Sequence, residues 1–532
     1  MKNMLAGVDG LDAALLVVAA DEGWMPQTEE HVAVLDLLGV TTGVVALTRT
    51  DLVDDETADL AALEVHEYLE GTSLQGAPLV RTAAPRGEGV GDLLAALAHM
   101  MDGIPAAADV GRPRMWIDRA FVIAGAGTVV TGTMLDGCLH VGDMLAVWPG
   151  TLQARIRAME SHEKTVATAV PGHRTALNLA GVERRRIKRG AMVGREGDWR
   201  PTTRVLASVR VVRSLGKPLT ERGAYHLHVG TAAHPVRMRI AGSRHIDTSG
   251  DVVMTLETPL PLGAGDRFIL RDTGRRAVVG GGRILDPHPG RTDAAVAAPR
   301  LRSALTEGPD GIAKTLLELR GVVGVTALLA DSGGGAPPPG TVIEGTALSA
   351  AARASLADTA ADLVEAYHRD HPLRPGIPRA RLASELDVEA AVAVAVIDDD
   401  PRFAVEGATV RMVDFTERWT EAQDGAWERA TLELGANLAV PRASSLDLDP
   451  DLLHAAVRRG LAVAVADDVV YLAGQIDEIR NRFDELPASF TVSQFRQHFS
   501  LSRRHAVPLL EWFDAAGDTV RRGDTRTVKP GK

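Results

Sequence analysis

The stretch LDAALLVVAADEGWMPQTEEHVAVLDLLGVTTGVVALT (11–48) decides the fold class at the front of the chain. AALLVVAA has the continuous apolar character of a fully buried strand, TEEHVAVLDLLG spaces its apolar residues for a helix that stops at a glycine, and TGVVALT is a second strand. The alternation continues through TADLAALEVHEYLEG as a helix, APLVRTAA as a third strand and VGDLLAALAHMM as a closing helix. A βαβαβα series predicts a parallel sheet with right-handed crossovers. Ahead of it, KNMLAGVDG has the pattern of one more helix, so the chain opens within an α/β series.

The chain has 532 residues, too many for one hydrophobic core, and several domains are expected. Hydrophobic residues make up 45% and charged residues 24%, and no apolar run approaches a membrane span, which excludes disordered and transmembrane classes from the sequence side. A single cysteine, Cys138, excludes an internal disulfide framework, and no signal-peptide core follows Met1, so a reducing cytoplasmic setting is expected. The net charge of −12 opposes indiscriminate coating of nucleic acid, yet a global sum can conceal a local basic module.

Past a Pro/Ala/Gly-rich boundary, IPAAADVGRP (104–113), the period of the pattern changes to two. Closely spaced β-rich runs separated by glycine turns predict two antiparallel β-barrels that meet near Arg200. From about Thr292 short helices followed by small β pairs recur, the outline of winged-helix modules, with SGGGAPPPG (332–340) as a flexible linker or long loop. The expected domains are therefore 1–108, 109–199, 200–291, 292–483 and 484–532.

At the end of the second strand stands Thr48-Arg49-Thr50-Asp51, placed where open α/β sheets bind ligands. A carboxylate at Asp51 suits guanine, whose N1–H and exocyclic amine form a donor pair that adenine lacks, and the Arg49 stem can cover the ring. An Asp that merely caps the next helix is the alternative. Thr82-Ala83 at the third strand end, followed by a glycine-rich turn, is a second candidate element, and an empty loop is its alternative. SLGKPLT lacks the glycine of a phosphate loop, and GAGTVVTG lacks the spacing and the helix of a dinucleotide loop, so a hairpin turn is expected there. His226, His228 and His234 lack a cysteine or a properly spaced fourth ligand, and no metal site is expected. The last module is the sharpest nucleic-acid signal: Ser502 suits an N-cap, Arg503, Arg504 and His505 would project from the first turn of the following helix, and TVRRGDTRTVK presents Arg521, Arg522 and Arg526, with Lys529 and Lys532 in the tail. A solvated basic face is the alternative.

Taken together, KNMLAGVDGLDAALLVVAADEGWMPQTEEH, the TxxD and Thr-Ala elements, FVIAGAGTVVTGTMLDGCLHVGDML and LGAGDRFILRDTGRRAVVGGGRIL resemble translational GTPases over residues 1 to about 290. The remainder, ending FTVSQFRQHFSLSRRHAVPLLEWFDAAGDTVRRGDTRTV, resembles the winged-helix extension of selenocysteine-specific elongation factors of the SelB type. The Thr at position 48 also fits that subfamily, whereas Arg49 departs from the usual lysine.

This resemblance implies a fold of a truncated α/β P-loop-type GTPase domain, two antiparallel β-barrels and α+β winged-helix repeats. It implies GTP/GDP with Mg²⁺ as cofactor, read at the base by Thr48, Arg49, Asp51, Thr82 and Ala83. It places Asp118 and Arg119, with Arg157 and its neighbours Arg155 and His162, near the aminoacyl-tRNA pocket, where a guanidinium favours an ionised selenol over a neutral serine hydroxyl; a surface salt bridge or strand-edge charge is the alternative for Asp118 and Arg119. It assigns Arg503, Arg504, His505, Arg521, Arg522 and Arg526 to an mRNA hairpin, whose shape and unpaired bases carry the specificity. The expected partners are selenocysteinyl-tRNA, the mRNA hairpin and the ribosome, with no membrane, and the chain is expected to be a monomer.

The family's G-x-x-x-x-G-K-[ST] loop, first switch and D-x-P-G-H segment with its catalytic histidine do not occur in the 532 residues. They are expected upstream of Met1, and a gene fragment or misassigned start is preferred to a natively short protein. No catalytic residue is therefore assigned, nucleotide binding is expected to be weak, and hydrolysis absent or slight. In the family strand order the strand near Ala13 also becomes a bare edge. The alternative function is an RNA- or tRNA-tethering protein without GTPase activity, and a DNA-binding regulator is disfavoured by the two barrels.

Overall fold

The computed structural model describes residues 10–529 apart from Ala126 and Thr151. The opening helical stretch of the sequence and Lys532 lie outside the described residues. The chain divides into two compact units, Met1–Ala352 and Arg353–Lys532.

In the first unit an α/β layer comes first. Strands β1 (Ala14–Ala19), β2 (Gly43–Thr48) and β3 (Leu79–Arg81) lie in that order, all parallel, joined by helices α1 (Pro26–Leu37) and α2 (Asp55–Leu69); α3 (Val90–Asp102) follows. Pro26 opens α1 with its φ already set, and the Asp54 carboxylate caps α2 by accepting from the Thr57 N–H at 2.8 Å. The central strand is buried on both faces through Val44, Val45, Ala46 and Leu47. β1 departs from the fully buried strand expected from its composition. Leu16 and Val18 face the core, while Leu15 and Val17, on the opposite face of the pleat, are 45% and 56% exposed; β1 also pairs only with β2 among the described residues. It is an edge.

Two β-structures follow. Strands Arg114–Trp116, Gly127–Leu135, Arg174–Ala180, Leu152–Ser161, Met144–Trp148 and Met192–Arg195 pair in a ring, closed where Met144–Trp148 meets Leu152–Ser161, around Met115, Ile117, Val130, Ile156 and Leu177. The next six strands, from Pro201–Val211 to Ala277–Asp286, form a closed antiparallel barrel. Its seam needs glycine: a Cβ on Gly282 would lie 1.8 Å from the Ser208 carbonyl oxygen. The α/β layer docks on this barrel through a shared apolar cluster containing Val45, Leu35, Val212, Ile269 and Val278.

The first winged helix belongs to the same unit. Its helices Ala294–Ala304, Pro309–Arg320 and Val325–Ser332 are fastened to the barrel at Asp331, 1% exposed, which accepts from Arg200 at 2.8 Å and Arg320 at 2.6 Å with His288 at 2.9 Å. The glycine- and proline-rich stretch 332–340 is therefore a held loop and not a free linker. Ser332 is fully buried, the Gly335 N–H donates to its Oγ at 3.0 Å, and the Ala336 N–H donates to Asp310 at 2.8 Å.

The second unit repeats the small α+β pattern. Helices Arg379–Glu385 and Ala390–Asp398 precede the hairpin Phe403–Glu406 and Thr409–Met412, and helices Glu421–Gly435 and Pro450–Arg458 precede Ala462–Ala466 and Val469–Leu472. Helices Ala473–Asn481, Val492–His498 and Arg503–Ala516 precede Thr519–Arg522 and Thr525–Val528. The last two modules share one core, in which Leu434, Val440, Tyr471 and Ile476 pack with Phe483, Phe490, Phe495 and Phe513.

Candidate functional site

Three constellations carry chemistry. The first lies at the carboxyl ends of β1, β2 and β3. Thr48 closes β2 and donates from Oγ1 to the Val18 carbonyl at 3.2 Å, which ties two strand ends together. Arg49 takes a left-handed conformation, φ 56°, and folds back onto Asp21 and Glu22 after β1, 3.2 Å from each. The Asp21 hydrogen bond and charge, then Glu22, push its pKa further up. Asp51 sits half-buried in the single turn Thr50–Leu52 with no protein partner among the described residues, whereas the cap of α2 is Asp54. The helix-cap alternative for Asp51 is thereby set aside.

Parallel pairing brings the second element beside the first. The Thr82 N–H donates to the Leu47 carbonyl at 2.8 Å and the Thr50 N–H to the Thr82 carbonyl at 3.4 Å. Thr82 and Ala83 are buried, and Ala83 bridges Glu88 across the turn. That turn requires glycine, because at Gly89, φ 69°, a Cβ would meet the Arg81 carbonyl oxygen at 1.9 Å. The result is a pair of loops with one uncommitted carboxylate between them, which fits the edge of a guanine.

The second constellation is on the first β-ring. Asp118 accepts from Thr131 Oγ1 at 2.5 Å and from Arg174 Nε and Nη2 at 3.1 and 2.9 Å. Arg119 stands opposite Thr131 in the strand pairing and is exposed. Arg157 lies exposed on the strand Leu152–Ser161, without a contact to Asp118. Arg155 donates to the Gly142 carbonyl at 3.2 Å, and His162 meets His173 edge-to-face at 5.3 Å. Arg174 was not legible as a site residue. It is remote in sequence from Asp118, and only the adjacency of the strand Arg174–Ala180 to Gly127–Leu135 delivers it. The Arg174 side chain is 55% exposed, and its charge is paired with that of Asp118.

The third is the terminal module. Arg503, Arg504, Arg521 and Arg522 are exposed, Arg504 donating to the Asp468 carbonyl at 3.2 Å and Arg521 to that of Gly523 at 3.2 Å. Two expected members turn inward. His505 is buried, with Nε2 2.9 Å from the Val440 carbonyl and Nδ1 3.0 Å from Ser502 Oγ, and burial above all lowers its pKa. Ser502 thus serves the ring and not the helix backbone. Arg526 is 4% exposed and pairs with Asp514 at 2.8 Å, holding the hairpin to the helix. Both left the exposed set because their strand or helix face points into the module, which a count of basic residues does not register.

His226 and His228 occupy one strand and His234 its neighbour, and among the described residues no cluster of three ligating side chains is placed to hold a metal. Burial, then Arg271, His226 and His234, pushes His228 down to about 4. No helix of the described residues is long and apolar enough to cross a membrane.

Comparison with known proteins follows the same division. Residues 1–102 match the elongation factor Tu GTP binding domain, 127–194 elongation factor Tu domain 2, and 206–291 the β-barrel domain of the selenocysteine-specific elongation factor. Residues 361–411 and 481–528 match winged helices of elongation factor SelB. The selenocysteine-specific elongation factor of Escherichia coli K12 is 31% identical over 560 residues, covering 99% of this chain and 88% of that protein. That of Desulfomicrobium baculatum is 28% identical over 574 residues, covering 99% and 89%. A crystal structure of bacterial selenocysteine-specific elongation factor EF-Sec superimposes with a TM-score of 0.77 at 23% identity, covering 99% of this chain and 88% of that one, which establishes the common fold.

Proposed function

The chain belongs to the selenocysteine-specific elongation factor family, and from that premise we propose that it holds two RNAs at once, selenocysteinyl-tRNA on its barrels and an mRNA hairpin on its last winged helix, for delivery to the ribosome at UGA. In this reading Thr48, Arg49, Asp51, Thr82 and Ala83 form the base end of a guanine-nucleotide site, with Asp51 accepting from the base. GTP and Mg²⁺, when bound, supply the phosphate charge that switches such factors. The chain's own residues would hold the base and fix its orientation.

On the β-ring, Arg174, fixed by Asp118 and Thr131, together with Arg119 is the amino-acid pocket. A guanidinium there attracts a selenolate and gains nothing from a serine hydroxyl. Arg157, exposed on the strand Leu152–Ser161, is assigned to the same pocket by the resemblance alone. On the terminal module Arg503, Arg504, Arg521 and Arg522 meet phosphates, while His505 and Arg526 keep the surface in shape.

The observation that carries the proposal is this set of four exposed arginines, gathered on one small module of a chain whose net charge is −12. Competition of RNA stem-loop against duplex DNA for the whole chain tests it. Preference for the stem-loop is expected, and preference for duplex DNA would overturn it.

A second reading, tethering of RNA without GTPase activity, is favoured by one specific observation: the 532 residues contain no G-x-x-x-x-G-K-[ST] sequence. The chain as given is expected to hydrolyse no GTP above background, since the backbone amides and lysine that stabilise phosphoryl transfer have no counterpart in it. Multiple-turnover hydrolysis by the pure protein would refute that.

A further inference from the structure

The third winged-helix module, built on helices Glu421–Gly435 and Pro450–Arg458, meets helix Arg503–Ala516 of the fourth through their shared core and, at the start of that helix, through polar contacts. The loop that follows helix Glu421–Gly435 passes Val440 and Arg442 and runs against the first turn of helix Arg503–Ala516. Two independent contacts fix it there. The buried His505 ring sits with Nε2 2.9 Å from the Val440 carbonyl, only two residues from Arg442. Arg504 Nη2 donates at 3.2 Å to the carbonyl of Asp468, the residue whose carboxylate accepts from the Ser444 N–H at 2.7 Å and whose carbonyl also receives the Ala443 N–H at 3.2 Å.

Asp468 is thus spent inward. Its carboxylate, held in the charged form chiefly by the Ser444 backbone hydrogen bond, anchors the 442–445 segment while its carbonyl anchors Arg504. Arg442 stands above this anchor, 65% exposed, its Nε 4.0 Å from the carboxylate, the outer limit of an ion pair. Arg442, Arg503 and Arg504 are all exposed, and the segment that carries Arg442 is tied to the same residue, Asp468, that accepts from Arg504. Asp467 is exposed in the same turn as Asp468.

We propose that Arg442 of the third module contacts the same hairpin RNA as Arg503 and Arg504, so that the RNA surface is a composite of two modules with His505 as the positioning residue between them; this rests on the hairpin reading above. Guanidinium groups brought together by tertiary contacts address successive phosphates of an A-form stem, whose shape, more than its sequence, is then recognised across the module boundary. The shared apolar core of the two modules makes the spacing a fixed property of the fold and not of a flexible joint.

The test uses the full chain and a fluorescein-labelled RNA stem-loop taken from just after an in-frame UGA in a message of the same genome, with affinity measured over a salt series. Arg442→Ala is expected to weaken binding about five- to tenfold and to lower the slope of log K against log salt by about one, with the melting temperature unchanged. Arg442→Lys is expected to keep the slope, since it keeps the charge. If Arg442→Ala binds with wild-type affinity and slope while Arg503→Ala loses both, the composite surface is refuted and the hairpin reading survives. If the wild-type chain ignores the stem-loop, both are refuted.

Discussion

The strand-end loops of the α/β layer and the terminal winged helix both carry the residue types their chemistry requires, but they hold them by different means. In the first, backbone pairing does the positioning: Thr82 and Thr50 are linked through main-chain groups, so any sequence that forms the parallel strands sets Asp51 beside the Thr82-Ala83 turn. In the second, side chains do it, and of the six basic residues in the module's two basic segments, two are internal struts. Backbone-built sites follow from topology, whereas a basic patch follows from which face each residue occupies.

The largest expected effect separates struts from contacts. Asp514→Ala leaves the buried Arg526 unpaired and also removes the acceptor of Thr519, 2.6 Å away, and should cost about 3 kcal/mol in a denaturant titration of the second unit. RNA affinity should then fall only as the protein unfolds. Next in size, Arg503→Ala with Arg504→Ala should lower stem-loop affinity by roughly tenfold or more with no comparable loss of stability, and tRNA binding should stay intact. Equal loss of both RNAs would break the distinction between the two ends of the molecule.

The rest of the sequence divides along the same line. The βαβαβα series, the two β-structures and the winged helices were legible because periodicity and glycine stops report on local structure. The edge position of β1 was expected, but its apolar run signalled burial on both faces, whereas Leu15 and Val17 alternate onto a face that is exposed, which composition does not report. For 332–340 the sequence left a flexible linker and a long loop open, because glycine and proline report backbone freedom but not the Asp310 and Ser332 contacts that hold it as a loop. Arg174 stayed hidden since nothing in local spacing links it to Asp118. Asp51, by contrast, lies at the end of the second strand as its sequence position indicated, and Asp118 is tied to Thr131 and Arg174.

On the backbone-built side the effects are smaller. Asp51→Asn should reduce discrimination of guanine over adenine nucleotides about tenfold in an NMR titration, because an amide presents only one acceptor to two donors. A change in overall affinity with discrimination intact would assign Asp51 a merely structural role. The smallest effect concerns acid stability of the closed barrel. His228 is neutral in the fold down to about 4 but protonates near 6.5 when unfolded, so its contribution is complete above pH 6.5 and is lost as pH falls toward 4. His228→Gln should flatten the melting temperature between those values, and an unchanged slope would assign it elsewhere.

In the proposed function the chain sorts its tRNA by the charge of the attached amino acid, at Arg174 and Arg119 on the β-ring. Binding of selenocysteinyl-tRNA and seryl-tRNA to the whole chain, compared at neutral pH for wild type and Arg174→Ala, tests it most directly. The account predicts tighter binding of the selenocysteinyl form by the wild type and a narrowed gap in the variant. Equal affinity of the wild-type chain for both tRNAs would contradict it.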